Sequence, residues 1–150
     1  ITMNTTSFDY EKLHTNSWLL FLSLGKVRKP ISEIYFSIKN QNIKDKCREV
    51  SRHLCDKINE IEPNSTIVIC CKGFWRNEKF SEDDLYAFKS HQFLLYQNKY
   101  FIDLTLTQFD IDLPSIFITT VEQGHIGQQK YIHQTYPEIV DLNYKNTLNL

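Results

Sequence analysis

No apolar run in this chain approaches the roughly 20 residues that span a bilayer. The longest, Trp18-Leu-Leu-Phe-Leu-Ser-Leu24, also lacks a small-residue cleavage site, which assigns it to the core of a domain. An excess of charge of either sign is missing as well, since 17 Lys+Arg stand against 18 Asp+Glu. So balanced a field makes no case for nucleic-acid or anionic-membrane partners. Cysteine forms no Cys-x2-Cys pair and histidine no His-x3-His cluster, so the spacings match no zinc pattern, and the chain's thiol chemistry implies no metal or organic cofactor. Cys70 and Cys71 are neighbours on an apolar strand and point to opposite faces, so at most one can approach Cys47 or Cys55 from a given side. Reduced thiols and a cytosolic working environment follow.

What remains is an ordinary single domain. At 150 residues the chain can bury roughly two thirds of its unfolded surface and hold a rigid site. Ile1 and Thr2 precede the only methionine, Met3, as expected of an expression scar or of a domain cut from a longer protein.

Along the chain, the apolar stretch closing at Gly25, with basic residues and Pro30 behind it, predicts a helix from about Asn16 to Leu24 followed by a solvated loop. Ile31 to Ile38 suits a short helix or a strand, and its periodicity does not choose between them. From Asp45 to about Glu60 the pattern is helical, with Cys47, Val50, Ser51, Leu54 and Ile58 on one face. Arg48, Glu49, Arg52, Asp56 and Lys57 fall on the other, and Pro63-Asn64 ends the helix. Thr66 to Cys71 is β-branched and continuous, as in a strand covered on both sides, and Gly73-Phe74-Trp75 follows. Residues 77–84 read as a polar loop or short helix, and Ser115 to Thr119 as another strand. The tail from Glu122, rich in Gln, Tyr, His and Asn, carries no pattern.

Between these elements lies a hairpin whose register decides the chemistry. If Tyr96 faces Tyr100 across Gln97-Asn98-Lys99, then Phe93 faces Asp103 and His91 faces Thr105. His91 and Asp103 become diagonal neighbours on one face, about 7–8 Å apart at the backbone and bridgeable by an imidazole. A loop one residue shorter would turn Asp103 to the opposite face.

Three residue types then suggest a thiol nucleophile, its base and the base's orienter. With Asp45 or Asn42 as cap, Cys47 stands in the first turn of its helix, where unpaired amides and the positive dipole end favour a thiolate. The alternative is a small buried hydrophobe, the commoner fate of a free cysteine. Cys55, Cys70 and Cys71 are assigned to packing. His91 opens a strand whose partner carries Asp103 inside an apolar run, and a buried aspartate needs a donor such as imidazole. His14, His53, His125 and His133 lack such company, and His53 is expected in solvent. Gln41, upstream of Cys47, is a candidate oxyanion donor, or an ordinary loop residue. Gln108 is a candidate brace for the site, or an ordinary structural hydrogen bond.

Cys-x3-Ser-x2-Leu on a helix, a strand with Gly-Phe, and His-x-Phe followed by Tyr-x-Ile-Asp-Leu-Thr-x-x-Gln-Phe together resemble the papain-like superfamily. Within it, the compact bacterial toxin and effector domains that act as cysteine proteases or glutamine deamidases are the nearest in kind, over roughly Gln41 to Pro114. The resemblance implies an α+β fold in which the nucleophile's helix packs on an antiparallel sheet, with the motifs inside one domain spanning 1–150. It implies Cys47 as nucleophile, His91 as general acid/base, Asp103 as orienter and Gln41 as oxyanion donor. It further implies a protein substrate in a target-cell cytosol after secretion or translocation, with a cognate immunity protein or chaperone as partner. Outside that setting a cytoplasmic location is expected. The Cys-Gly-Ser-Cys-Trp surround of papain is absent and aspartate replaces the asparagine of its proteases, which leans toward the deamidase, transglutaminase-like and toxin branches. A binding module that keeps the fold with Cys47 buried is the competing class.

Overall fold

Helical and strand-like patterning resolve into an α+β arrangement in the computed structural model, which describes residues 9–71, 91–108 and 111–121. Helices α1 (Tyr10–Ser23), α2 (Arg28–Ile38) and α3 (Cys47–Ile61) pack on a four-stranded antiparallel sheet. Its strands β1 (Thr66–Cys71), β2 (His91–Tyr96), β3 (Tyr100–Asp103) and β4 (Phe117–Thr120) follow one another in chain order. The readings of Gly73 to Trp75, of 77–84 and of the tail from Glu122 lie outside the described residues, as do Met3, His125, His133 and the side chains of Cys70 and Cys71. Among the described residues no helix is long and apolar enough to cross a membrane.

Helix α3 follows its periodicity. Val50, Ser51, Leu54, Cys55 and Ile58 are buried, and Arg48, Glu49, Arg52, Asp56 and Lys57 are exposed. Its inner face joins Phe21, Val27, Ile31, Ile34, Leu94, Tyr96, Ile102 and Ile118 in one core. Asn59 fastens the far end to the sheet: its Oδ1 accepts the Ser65 and Thr66 N–H groups at 3.1 and 3.0 Å, and its Nδ2 donates to Thr66 O at 2.9 Å.

Two expectations about the first helices are corrected. Helix α1 begins at Tyr10 rather than near Asn16, because Asp9 caps it by accepting the Lys12 N–H at 3.0 Å. A surface helix buries only one stripe, so the stretch from Trp18 to Leu24 divides. Phe21 and Leu24 face inward, while Trp18 and Leu19 remain 55% and 58% exposed. The expected loop after Gly25 is instead a 3-10 turn, Gly25–Val27, that runs directly into α2. Pro30 stands in the first turn of α2, where a missing N–H leaves no intrahelical bond unmade. Residues 31–38 are therefore helical, with Ile31 and Ile34 buried.

The hairpin takes the expected register. Tyr96 pairs with Tyr100 and Leu94 with Ile102, and the Lys99 N–H donates to Tyr96 O at 3.0 Å. Gln97 and Asn98 both adopt positive φ, 54° and 53°, the sign a type I′ turn requires at its two central positions. Leu94 and Tyr96 join the helix-facing core, and Phe93 and Leu95 alternate with them on the opposite face, also buried. β1 is less covered than expected, with Ile69 buried but Ile67 and Val68 half-buried.

Candidate active site

Cys47 is the first residue of α3, so it occupies the turn whose amides have no partners within the helix. Neither expected cap is used. The N-cap is Lys46, which makes no side-chain cap bond, and Asn42 instead accepts the Lys44 N–H at 3.0 Å. Asp45 is left-handed at φ 62°, and its N–H donates to Gln108 Oε1 at 3.1 Å. The Lys46 N–H closes the turn on Ile43 O at 3.0 Å.

His91 opens β2 and is 1% exposed, and Asp103 closes β3 at 3%. The alternation of the hairpin puts both on one face, where the ring Nε2–H donates to Asp103 Oδ2 at 2.5 Å. Asp103 Oδ1 is occupied separately, accepting the Thr105 N–H at 2.9 Å and the Thr105 hydroxyl at 3.3 Å. The carboxylate is thus satisfied on both oxygens, which makes its burial tolerable. Phe93 stacks on the imidazole at a centroid distance of 5.7 Å and fixes the ring plane.

The other ring nitrogen, Nδ1, is buried, and the ring and the Cys47 thiol act on each other through a hydrogen bond and through charge. Two groups predicted as nucleophile and base from different elements therefore meet. Their electrostatics favour an ion pair. Burial acts against the Cys47 thiolate and is the largest single influence. The hydrogen bond and positive charge of His91, together with the Gln92 backbone N–H, outweigh it and bring the thiol below its ordinary 9.0. Burial likewise acts against the His91 cation, but the charge and hydrogen bond of Asp103, aided by Cys47, raise the ring to about 10.

Cys55 shows the contrast. Burial and the Asp56 charge push its thiol up, and its Sγ donates to Thr66 O at 3.3 Å, as in a packed, inert cysteine. His53 is exposed, and exposed His14 meets Asp112 O at 2.8 Å, far from this group.

Gln41 is not brought to the group, which corrects its expected place. Its Nε2 donates to Ser37 O at 2.8 Å, because the end of α2 leaves carbonyls in need of donors. Thr105 and the Gln92 amide are site groups that sequence reasoning did not single out. A threonine two residues after an aspartate is a turn signal that points to Thr105. The Gln92 amide contributes through its backbone, to which residue identity gives no clue. No protein-family model, no curated protein and no solved structure matches this chain.

Proposed function

We propose that this domain is a cysteine-dependent acyl-transfer hydrolase of papain-like type, acting on a carboxamide of a protein substrate. The observation that carries the reading is one buried imidazole shared between the Asp103 carboxylate and the Cys47 thiol at a helix start. Cys47 Sγ attacks the carbonyl carbon, and the developing oxyanion lies by the amides of the first turn of α3. The His91 imidazolium passes its proton to the departing nitrogen as the C–N bond breaks, leaving a thioester. Water then attacks the thioester, gives a proton to the now neutral His91, and the thiolate leaves. Asp103 keeps the ring oriented and stabilises its cationic form throughout.

Side-chain deamidation is favoured over peptide cleavage by aspartate in place of the protease asparagine and by the absent papain surround. Action in a target-cell cytosol, with a cognate immunity protein, belongs to the same proposal and rests on the toxin-like and effector-like resemblance over 41–114. The test is intact-mass spectrometry of candidate target proteins incubated with wild type and with Cys47→Ala. A gain of about one dalton that depends on Cys47 identifies amide hydrolysis through the acyl-enzyme. Cys47-dependent fragments make the enzyme a protease, and no Cys47-dependent change in any target removes the enzymatic reading.

A further inference from the structure

The Gln108 carboxamide stands apart from the thiol, yet it joins the loop that starts the nucleophile's helix to the segment that follows Asp103. Its Oε1 accepts the Asp45 N–H at 3.1 Å across 63 residues of sequence. The Gln108 backbone N–H donates to Thr105 O at 3.2 Å, and Thr105 holds Asp103 Oδ1 through both amide and hydroxyl. Asp103 holds His91, and His91 holds Cys47, two residues beyond Asp45. These contacts close a ring from thiol to imidazole, carboxylate, threonine and glutamine, and back to the thiol's own helix.

The amide orientation is determined. Reversing it would set an N–H2 against the Asp45 N–H, and Nε2 as placed is buried with no hydrogen-bond partner among the described residues. Among the described residues that donor stays unmade, a cost that an apolar side chain at this position would avoid. Asp45 adopts the left-handed region at φ 62°, which aspartate enters more readily than most residues other than glycine, and its N–H is thereby turned toward Gln108.

We propose that Gln108 is a positioning residue for the nucleophile: by holding the left-handed Asp45 turn against the Asp103–Thr105 segment, it sets Cys47 at hydrogen-bonding reach of His91. This deepens the acyl-transfer reading and rests on it. Gln108→Leu removes the acceptor at similar bulk. The ring then opens at the Asp45 contact, and the thiol loses its fixed approach to the imidazole.

The experiment follows iodoacetamide alkylation of Cys47 by peptide mapping over pH 5 to 10. It uses wild type, His91→Ala, Gln108→Leu and Gln108→Glu, with folding checked by circular dichroism. His91→Ala defines a thiol without its partner: burial then holds it at or above its ordinary 9.0, so no more than about 0.3% is ionised at pH 6.5. Wild type is expected to react faster than this at pH 6.5, with a midpoint below 9.0. Gln108→Leu should move the midpoint up to that of His91→Ala and lose the excess rate. Gln108→Glu, which keeps an oxygen for the Asp45 N–H, should recover it. A folded Gln108→Leu with the wild-type midpoint, whatever its melting temperature, overturns the positioning role and leaves the Cys47–His91 pair standing. A wild type no faster than His91→Ala overturns the pair itself, and the role of Gln108 with it. Should Gln108→Leu fail to fold, Gln108→Glu decides: a wild-type profile supports the role, and a His91→Ala profile defeats it.

Discussion

Asp103→Asn isolates the charge at the centre of the site, because asparagine keeps an oxygen for the Thr105 N–H but cannot hold an imidazolium by Coulomb attraction. In the native protein His91 is raised from 6.5 to about 10 against the burial that would lower it. Without the carboxylate's charge, burial prevails and the ring falls toward 6.5 or below. One pKa unit corresponds to about 1.4 kcal/mol, so a loss of about 3.5 units removes up to about 5 kcal/mol. That agrees with the roughly 3–5 kcal/mol found when one partner of a buried ion pair is deleted. A folded-state pKa above the unfolded one gives stability that is fully present below pH 6.5 and lost as pH rises through about 10. The difference between wild type and Asp103→Asn should therefore be up to about 5 kcal/mol at pH 6.5, about 3 at pH 8, and close to nothing at pH 10. In a domain of this size each kcal/mol moves the melting temperature by about 2–4 °C, so thermal and urea melts at the three pH values resolve the trend. A destabilisation that stays constant from pH 6.5 to 10 would refute a charge pair here and leave only an ordinary hydrogen bond.

The other expectations follow from the same geometry. Cys47→Ala and His91→Ala should each abolish Cys47-dependent turnover, and the double variant should be no worse than either single, because the two groups act as one unit; additive losses in the mass-spectrometric assay would oppose this. Cys55→Ser should retain activity and the pH profile of Cys47 labelling while losing about 1 kcal/mol in urea melts, since Sγ is a packed donor to Thr66 O. Loss of activity in that folded variant would show that Cys47 is the wrong choice of nucleophile. Ile58→Ala removes a side chain with 0% exposure from the α3–sheet core and should cost about 2–5 kcal/mol in the same melts. A cost under about 1 kcal/mol would show that the helix is not anchored there.

The legible parts of the molecule are those in which a single repeating constraint acts over many residues. Helix α3 satisfies a 3.6-residue period, so Val50, Ser51, Leu54 and Ile58 could be listed in advance as its inner face, while Cys47 at its start is half-buried and Cys55 is buried beside them. The hairpin satisfies a period of two once its loop is known, and Gln97-Asn98-Lys99 between two tyrosines set that loop, which put Asp103 beside His91. The errors fall where one local contact overrides pattern. Asp9 starts α1 before any apolar residue calls for it, and Pro30, legible as a stop, serves equally well as the opening of the next helix. The α+β class was within reach of pattern alone, whereas nothing periodic distinguishes one arrangement of helices on an antiparallel sheet from another.

The same division runs through the site. Cys47, His91 and Asp103 stand at the ends of regular elements, and element ends leave signatures: a periodic run that begins, a strand that opens, an aspartate that interrupts an apolar stretch. Gln41 lies past the end of α2 and Gln108 closes a short 3-10 turn, Leu106–Gln108, where one glutamine looks like another. Position near the cysteine favoured Gln41, but the carbonyls at the end of α2 claimed it. Gln108 lies 63 residues from its partner Asp45, and no local pattern could have announced that bond. Sequence proximity to a nucleophile is therefore a poor guide to which amide serves it. What decides is which backbone groups remain unpaired after the elements have formed, and here the exposed end of α2 takes one glutamine while the left-handed turn before Cys47 takes the other.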